Sequence, residues 1–454
     1  MEDGNFLKKN EVYTVEIKDI SNMGNGVSKI NGIVVFVEQA IPKDILQIKI
    51  VKSKKTYAYG KIIKILSASP NRTKPICKAF KECGGCDIMH MTYESQLGYK
   101  IDQLIKSFES NGTSKEDLKN VLHEPSVLKN PYYYRNKVII PISEGDIFPK
   151  IGFFKKNSHE IVDFIGCKIQ KKENESIILT IKEEIKTQSL TIYCEKTHKG
   201  LLRNIFIRQG HVTKEIMVAI IVNSESYVLS KKFVSKIVKS SPNIKSVIVN
   251  YNNKKTNVAL GTINNVMYGR DYIEDYVGNI KLKISLNSFY QINSELCNVL
   301  YNDILDIANF SKTETVLDVY CGIGTITLFL SKHVKRIIGL ECVEESIKDA
   351  KINCELNFIK NAEFFCGLAE ESIQRFNNYD VIVLDPPRKG LNKEVINAII
   401  NVLPKKIFYI SCNPQTLARD INLLSHLYNI GFVKAYDFFA HSLHIETMVY
   451  LTKK

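Results

Sequence analysis

Between residues 11 and 66, apolar and polar positions alternate in short runs separated by glycine, asparagine and lysine. The alternation predicts five short strands, and its clearest runs are Val12–Ile20, Gly32–Glu38, Ile45–Val51 and Tyr59–Leu66. Strands so short and closely spaced are typical of a small β-barrel of the oligonucleotide-binding (OB) kind. We therefore predict an OB-like barrel over residues 1–68.

The hydrophobic period then changes twice. Tyr93–Ser110 carries apolar residues at helical spacing, namely Leu97, Ile101, Leu104, Ile105 and Phe108. Residues 125–275 are rich in strand-like runs of mixed character. From residue 288, strand-like and helix-like runs alternate as in βαβ units. The predicted fold class is α/β, with a C-terminal Rossmann-like domain preceded by a central mixed α+β domain and the N-terminal barrel.

The charge balance indicates a polyanionic partner. The chain of 454 residues has a formal net charge of +14 and a pI of about 9.0. Nucleic acid is the simplest such partner, unless the lysines are spread evenly over solvated faces. Cations also alternate with aromatic residues in Asn130–Lys137. This pattern is typical of segments that stack bases and hold phosphates, or of a packed strand with a basic edge.

Length and cysteine usage indicate a cytoplasmic protein of two or three domains. Met1–Asn5 is acidic and lacks the apolar core of a secretory signal. No apolar run approaches the ~20 residues that span a bilayer, so we expect no membrane partner. The eleven cysteines, an odd number, argue against a disulfide framework and fit a reducing compartment. We expect a monomer.

The segment Thr315–Thr327 has the pattern strand, glycine-rich turn, helix. Gly322 and Gly324 let the backbone approach a ligand, and a helix N-terminus presents unpaired N–H groups. The next strand ends in Glu341, whose carboxylate can accept hydrogen bonds from both hydroxyls of an adenosine ribose. A dinucleotide and S-adenosylmethionine both fit this arrangement.

Two observations favour S-adenosylmethionine. Thr327 stands where the dinucleotide fingerprint has its third glycine. A fourth strand then ends in the turn Asp385-Pro386-Pro387, and methyltransferases of the doubly wound class use such a turn beside the site of methyl transfer.

Cys412 follows the strand-like run Phe408–Ser411 and precedes a turn made by Asn413 and Pro414. A cysteine at a strand end is accessible, and its thiolate can act as a nucleophile. Taken alone, the pattern fits a buried packing cysteine better. The cofactor motifs upstream make the nucleophile the preferred interpretation.

A second group of cysteines, Cys77-x5-Cys83-x2-Cys86, is compact, and Gly84-Gly85 lets the backbone curl around it. Cys167, in Phe164–Lys168, is the candidate fourth ligand. Zinc and iron–sulfur clusters both accept four thiolates, so the spacing leaves the metal open.

Taken together, these motifs resemble those of the RNA uracil-5 methyltransferase family, whose bacterial members modify 23S rRNA or the T-loop of tRNA. The resemblance covers nearly the whole chain and rests on Ser288–Asn293, Asp318–Gly324, Asp385–Arg388, Ser411–Pro414 and His441–Thr447. It implies an RNA-binding TRAM-like barrel over 1–68, a central iron–sulfur and RNA-binding domain over 69–92 and 125–287, a helical segment over 93–124 that packs on the catalytic domain, and a methyltransferase domain over 288–454.

The resemblance also implies roles for single residues. Cys412 would be the nucleophile, Glu446 the general base, and Cys77, Cys83, Cys86 and Cys167 the ligands of a [4Fe–4S] cluster. S-adenosylmethionine would be bound by Gln291, Tyr320, Gly322, Gly324, Thr325, Glu341 and Asp385. Two positions depart from the family pattern, because Thr325 stands where an asparagine is often found and Leu368 where a polar side chain often meets the adenine. Backbone contacts would serve there.

The implied chemistry starts from the poor nucleophilicity of uracil C5. Addition of a thiolate at C6 makes C5 an enolate carbon that can attack the methyl group, and a base must then remove the proton from C5. A thiol of ordinary pKa is only a few per cent ionised at neutral pH, so we expect the surroundings of Cys412 to favour the thiolate. The target base must also leave its stack, which is less costly in RNA loops.

The expected function is therefore methylation of a uridine in structured RNA, with 23S rRNA preferred over tRNA because of the iron–sulfur signature. A tRNA uracil-5 methyltransferase and an RNA-binding protein without catalysis are the alternatives. RNA cytosine-5 methylation is disfavoured, since that family places a cysteine directly after its Asp-x-Pro turn, and here Arg388 follows Pro387. A nicotinamide-dependent reductase is the weakest option.

Overall fold

The computed structural model describes residues 7–454, which divide into two compact units. The first runs up to Lys106 and includes His441–His444, and the second comprises Ser107–Ala440 and Ile445–Lys454. The prediction about a signal sequence concerns Met1–Asn5, which lies outside the described residues. No helix within residues 7–454 is long and apolar enough to cross a membrane.

The first unit contains a sheet of six strands: β1 (Val12–Glu16), β2 (Asp19–Ile20), β3 (Gly26–Ile30), β4 (Ile33–Val37), β5 (Ile45–Ser53) and β6 (Tyr57–Ser67). Their order is β1-β5-β6-β4-β3-β2, and β4 and β6 run parallel while the other neighbours are antiparallel. β1 also contacts β3, so the sheet curls around a core that includes Val35, Leu46 and Ile48.

The predicted strand Val12–Ile20 is in fact two strands, so the sheet has six strands and not five. The backbone changes partner between them. The Ile17 N–H donates to the Asp44 carbonyl at 2.9 Å, whereas the Lys18 N–H donates to the Val27 carbonyl at 2.9 Å. The chain leaves β5 and joins β3 at this point, a change of neighbour that apolar alternation does not reveal.

Two helices follow the barrel. α1 (Tyr93–Ser110) confirms the predicted helix, and its Leu104 is fully buried. α2 (Lys115–Val121) comes next. Residues 122–124, predicted as part of the helical segment, instead begin the strand β7 (Leu122–Ser126). The difference has a local cause, because Pro125 cannot donate a helical hydrogen bond and disfavours helical geometry in the residue before it.

The second unit holds a seven-stranded sheet made of β8 (Lys137–Ser143), β9 (Lys150–Phe154), β10 (Ile161–Asp163), β11 (Leu202–Gln209), β12 (Ile216–Val222), β13 (Ile244–Tyr251) and β14 (Ile263–Gly269). The order is β10-β9-β8-β11-β12-β13-β14. α3 (Asn174–Thr187) and α4 (Lys231–Lys239) share one hydrophobic core with this sheet. The central region is therefore mixed α+β, as predicted.

A hairpin, β15 (Tyr272–Val277) and β16 (Ile280–Ser285), leads into the C-terminal sheet. Its strands are β17 (Thr315–Val319), β18 (Arg336–Glu341), β19 (Ala362–Cys366), β20 (Val381–Leu384), β21 (Lys406–Ser411), β22 (Tyr428–Tyr436) and β23 (Glu446–Lys453). The helices are α5 (Ser294–Ala308), α6 (Thr325–Ser331), α7 (Glu344–Leu356), α8 (Ala369–Ser372), α9 (Lys393–Val402) and α10 (Pro414–Leu424), with a 3₁₀ turn at Ile373–Arg375.

The C-terminal sheet has the order β19-β18-β17-β20-β21-β23-β22-β7. Its first five strands are parallel, β23 is antiparallel to both β21 and β22, and β7 extends the edge in parallel with β22. The chain moves outwards from β17 to β19 and returns to β20, so the strand order reverses between β17 and β20. In doubly wound sheets a ligand crevice forms outside the carboxyl ends of the strands at such a reversal. The Rossmann-like prediction is confirmed.

Buried polar contacts hold the segment Ser285–Ser288, which leads to this crevice. The Asp349 carboxylate accepts hydrogen bonds from the Ser285 N–H at 3.0 Å, the Ser285 hydroxyl at 2.8 Å and the Ser288 hydroxyl at 2.7 Å. The buried guanidinium of Arg208, on β11, donates to the carbonyls of Ser285 at 2.6 Å and Ser288 at 2.8 Å. The central sheet and α7 thus fix this segment together.

Replacing Asp349 with alanine should lower the free energy of unfolding of the second unit by about 3 kcal/mol, because three buried donors lose their acceptor. Urea denaturation followed by circular dichroism measures the change. Lys348→Ala is the matched control on the same helix, since the Lys348 side chain is 68% exposed and its pair with Glu344 lies on the surface. It should leave the midpoint of the urea transition close to that of the unsubstituted protein. Equal effects of the two substitutions would contradict this role of Asp349.

Candidate active site

A cavity of about 580 Å³ opens at the carboxyl edge of the C-terminal sheet. Its walls come from the ends of β17, β18, β20 and β21 and from the start of β23. Seven of the nine predicted catalytic and cofactor residues line it: Gln291, Tyr320, Gly322, Glu341, Asp385, Cys412 and Glu446. Its size suits a ligand of several rings.

The turn after β17 shapes the cavity floor through left-handed backbone conformations at Tyr320 (φ 71°), Gly322 (φ 56°) and Gly324 (φ 80°). No atom lies within 4 Å of a Cβ built on Gly322, so this glycine leaves open space beside the cavity. A Cβ on Gly324 would instead lie 2.8 Å from the Phe364 ring. Gly324 is therefore needed for packing against β19.

Gly324 and Thr325 do not line the cavity. Thr325 is buried as the first residue of α6, directly after Gly324. Two residues predicted to bind the cofactor, Gly324 and Thr325, thus lie outside the cavity. The reason is that the chain turns away from the cavity after Gly322 and enters α6.

Glu341 is oriented by backbone donors where β18 ends. Its carboxylate accepts the Gly322 N–H at 3.2 Å and the Val343 N–H at 2.8 Å. These bonds tie the end of β18 to the turn after β17. The carboxylate faces the cavity and can accept further hydrogen bonds from ligand hydroxyls.

Asp385 and Gln291 form a partly buried pair beside the point where the strand order reverses. Gln291 Nε2 donates to Asp385 Oδ2 at 3.1 Å. Burial raises the pKa of Asp385 to about 7, and the hydrogen bond from Gln291 opposes this rise. Burial likewise raises the pKa of Asp318, on β17, to about 7, against the hydrogen bond from the Thr327 hydroxyl. Burial thus raises the pKa of Asp385, which lines the cavity, and of Asp318, which is buried on β17 and does not line it.

Cys412 and Glu446 meet because β21 and β23 are antiparallel neighbours. Ser411, the last residue of β21, pairs with Thr447, so Cys412 and Glu446 are next to this pair at the same edge of the sheet. Asn413 caps α10 and donates from Nδ2 to the Arg388 carbonyl at 3.0 Å, which fixes the turn that carries the thiol. Glu446 is 3% exposed. Burial and the nearby Asp385 raise the pKa of Glu446 well above its usual range, while Arg388 opposes them.

We expected the surroundings of Cys412 to favour its thiolate, and this expectation is wrong: the protein groups around Cys412 favour the neutral thiol. Burial and the negative charge of Glu446 raise the pKa of Cys412 to about 11. Arg388 opposes this shift through its charge and a hydrogen bond. Burial removes water from the thiolate, and one cation does not compensate for that loss.

Sequence reasoning assigned no role to three side chains that line the cavity: Phe289, Arg388 and Phe439. Arg388 acts electrostatically on both Cys412 and Glu446. Its signal in the sequence was a cation directly after Asp385-Pro386-Pro387. Phe289 had a signal too, as an aromatic residue two positions before Gln291. Leu368 lines the cavity and is half-exposed, so its apolar side chain is available to contact a ligand.

The first three cluster cysteines lie in one turn of the first unit, where all are partly buried. The Gly85 N–H donates to Cys83 Sγ at 3.4 Å, a bond that also suits a thiolate ligand. Cys167 follows Gly166 (φ 101°) in the second unit and is also partly buried. Within residues 7–454, no group of three or more His, Cys, Asp or Glu side chains is placed to hold a metal ion. The donor chemistry suits an iron–sulfur cluster, and the ligand set stays a prediction.

Comparison with known proteins places the geometry in context. The model of the tRNA (Uracil-5-)-methyltransferase family matches residues 251–454, and that of the TRAM domain matches residues 7–63. The chain is 40% identical to an uncharacterized RNA methyltransferase of Clostridium acetobutylicum over 453 residues, 98% of each chain. It is 39% identical to one of Halalkalibacterium halodurans over 454 residues, 99% of this chain and 98% of the relative.

A solved structure is similar over almost the whole chain. It is the crystal structure of the Pyrococcus abyssi tRNA (uracil-54, C5)-methyltransferase in complex with S-adenosyl-L-homocysteine. The TM-score is 0.78 at 26% sequence identity, and the match covers 97% of this chain and 100% of the other. The predicted order of a TRAM domain followed by a methyltransferase domain is confirmed.

The raised pKa of Cys412 predicts slow alkylation at neutral pH. Its rate with iodoacetamide should rise about tenfold per pH unit towards pH 10, because the thiolate is the reacting species. Cys194 serves as a control within the chain, since it is exposed and hydrogen bonds from Thr197 lower its pKa. Its rate should level off at a lower pH. Peptide mass spectrometry measures both rates, and equally fast alkylation of the two thiols at pH 7 would contradict the prediction.

Proposed function

The chain belongs to the RNA uracil-5-methyltransferase family, and from that premise we propose that it methylates C5 of a uridine through a covalent bond between Cys412 and C6 of the base. The observation that carries the proposal is the meeting of Cys412, Glu446 and Asp385 in one cavity. A thiol next to a buried carboxyl group offers both a nucleophile and a base, as this reaction needs.

We propose that S-adenosylmethionine occupies the part of the cavity between Gly322, Glu341 and Leu368. Open space at Gly322 and the oriented carboxylate of Glu341 support an adenosine there, with the ribose hydroxyls donating to Glu341. Tyr320 lines the same wall, and Gln291 and Asp385 lie where the methyl-bearing end would be held. When bound, the cofactor supplies an electrophilic methyl group. The predicted roles of Gly324 and Thr325 are then limited to shaping the turn.

In the proposed sequence, Cys412 loses its proton to solvent water, so that Glu446 stays ionised, and the thiolate adds to C6 of the flipped uracil. C5 gains the electron density to accept the methyl group and then carries both a methyl group and a proton. The Glu446 carboxylate removes that proton, and the C6–S bond breaks to restore the double bond and the thiolate. Burial suits Glu446 to this step, because a carboxylate with a raised pKa is a stronger base. Arg388 favours both anions electrostatically.

The proposed substrate is a structured RNA in the cytoplasm, with 23S rRNA preferred and tRNA as the second candidate. The net charge of +14 and the TRAM domain support an RNA partner. We propose that the barrel (1–68) and the central domain (69–92 and 125–287) bind RNA, that residues 93–124 support the catalytic domain, and that residues 288–454 carry out transfer. The preference for rRNA depends on the cysteine pattern, whereas the similar Pyrococcus abyssi enzyme is a tRNA (uracil-54, C5)-methyltransferase.

We further propose that Cys77, Cys83, Cys86 and Cys167 hold a [4Fe–4S] cluster. Three cysteines in one short turn and the N–H donated to Cys83 Sγ support this ligand set. Because Cys167 is far along the chain from the other three, the cluster would have a structural role.

The two catalytic residues should fail differently. Cys412→Ala should abolish both methyl transfer and covalent attachment of RNA, since C5 is then never activated. Glu446→Gln should still add and methylate, but the C5 proton stays and the RNA remains attached to Cys412. Denaturing gels of enzyme incubated with total RNA and radiolabelled S-adenosylmethionine should show a labelled covalent band for Glu446→Gln alone.

Sequencing the RNA in that band identifies the substrate. Reads from 23S rRNA would support the preferred target, and reads from tRNA would establish the alternative. Normal turnover by Glu446→Gln, or residual methylation by Cys412→Ala, would rule out the covalent mechanism.

Protein purified without oxygen should be brown and contain about four iron atoms per chain. Serine substitution of Cys77, Cys83, Cys86 or Cys167 should each remove the colour, while Cys194→Ser, at an exposed cysteine outside the set, should keep it. Iron analysis and visible absorbance measure the outcome. Stoichiometric zinc without iron would replace the cluster with a zinc site.

A further inference from the structure

Cations and aromatic rings extend from the central sheet to the rim of the catalytic cavity. Lys137 Nζ lies 5.8 Å from the ring centre of Phe289, which lines the cavity and is 55% exposed. Lys172 Nζ lies 4.8 Å from the ring centre of Tyr133. Arg135 comes between Tyr133 and Lys137 in the sequence. We call Tyr133, Arg135, Lys137, Lys172 and Phe289 the cationic tract.

The tract is fixed directly to the catalytic segment through Asn136. The Asn136 N–H donates to the Ile292 carbonyl at 3.0 Å. Its side-chain amide donates to the Gln291 carbonyl at 2.8 Å and to the Ser294 hydroxyl at 2.9 Å. Asn136 is buried, whereas the residues on either side of it, Arg135 and Lys137, are partly exposed. Both cations are thus held one residue away from an anchor on the segment that carries Gln291.

The cations of the tract repel one another. Burial, together with the positive charges of Arg208 and Arg135, lowers the pKa of Lys137 to about 8. Arg208 is itself committed to the carbonyls of Ser285 and Ser288. Arg135 as a whole is partly exposed. Arg135 and Lys137 are held on either side of Asn136, where their like charges disfavour each other, so this arrangement indicates a site that an external anion completes.

We propose that the cationic tract binds the phosphodiester backbone of the RNA beside the target uridine and guides the strand to Cys412. This rests on the proposed function and names the surface through which the substrate reaches the site. A phosphate would bind the partly exposed Arg135 and reduce the repulsion between the charges of Arg135 and Lys137. The rings of Tyr133 and Phe289 allow bases next to that phosphate to stack, which suits unpaired RNA.

Lys137→Gln tests the proposal in the full-length protein. The probe is a fluorescein-labelled RNA stem-loop with uridines in its loop, measured by anisotropy over a series of KCl concentrations. The slope of log affinity against log salt should fall by about one, and affinity at low salt by about tenfold, because one phosphate contact is lost. Lys137→Arg should restore both. Lys172→Gln, at an exposed position, should lower the slope without any risk to folding.

Lys335→Gln is the matched control, since it makes the same change of charge at an exposed residue directly before β18, at the opposite edge of the sheet from the cavity. It should leave the slope unchanged. The carboxylate of S-adenosylmethionine is the other anion that Lys137 could bind. Calorimetry with S-adenosylmethionine distinguishes it from an RNA phosphate. Weakened cofactor binding by Lys137→Gln with an unchanged RNA slope would overturn the proposal.

Steady-state methylation distinguishes binding from chemistry. Lys137→Gln should raise KM for RNA and leave kcat at saturating RNA nearly unchanged. A fall in kcat alone would assign Lys137 to the chemical step and refute the proposal that the cationic tract binds RNA. A wild-type protein that binds the stem-loop with the full salt slope and methylates no RNA would instead refute the proposed function and leave the tract standing.

Discussion

Burial of negative charge at the carboxyl edge of the C-terminal sheet is the constraint on which the active site depends. Asp318 and Glu446 are buried there, Asp385 is partly buried, and the pKa of each is raised. Burial disfavours the ionised form of a carboxyl group, so the group is a stronger base when it is ionised. The same burial raises the pKa of Cys412. One environment therefore favours the base and disfavours the nucleophile.

Positive charge reduces this conflict, although Arg388 alone does not remove it. Arg388 opposes the pKa shifts of both Cys412 and Glu446 from its place after the Asp385-Pro386-Pro387 turn. A positively charged methyl donor in the same cavity would stabilise the thiolate further. In the proposed mechanism, formation of the thiolate thus depends on occupancy of the cavity, which protects the thiol between turnovers.

The central sheet supports the catalytic site through a short stretch of backbone. Arg208 holds Ser285 and Ser288, Asp349 holds the same two residues from α7, and Asn136 holds the segment that contains Gln291. The contacts of Arg208 and Asp349 are buried and that of Asn136 is partly buried, so the segment has little freedom to shift relative to the carboxyl edge. The surface proposed to bind RNA and the residues proposed to bind the methyl donor therefore share one rigid support.

The sequence by itself determined the elements and the chemistry of their ends. Helical spacing placed α1 at Tyr93–Ser110, and strand-like runs located the ends of β17, β18, β20 and β21, where Tyr320, Glu341, Asp385 and Cys412 lie. These features are local, because period and turn residues act over a few positions. Five of the predicted residues that line the cavity, Tyr320, Gly322, Glu341, Asp385 and Cys412, meet there because the carboxyl ends of parallel strands lie at one edge. Glu446 joins them from the start of the antiparallel β23, and Gln291 from the segment before α5.

Only the tertiary structure decided the packing contacts, strand partners and pKa values of these residues. The split of the first predicted strand follows from a change of partner between β5 and β3, and the packing role of Gly324 from the Phe364 ring on another strand. The raised pKa of Cys412 and the repulsion between Lys137, Arg135 and Arg208 follow from burial and from charges distant in the chain. Period and spacing do not encode these effects, because desolvation and Coulomb forces depend on distances in space that folding alone sets.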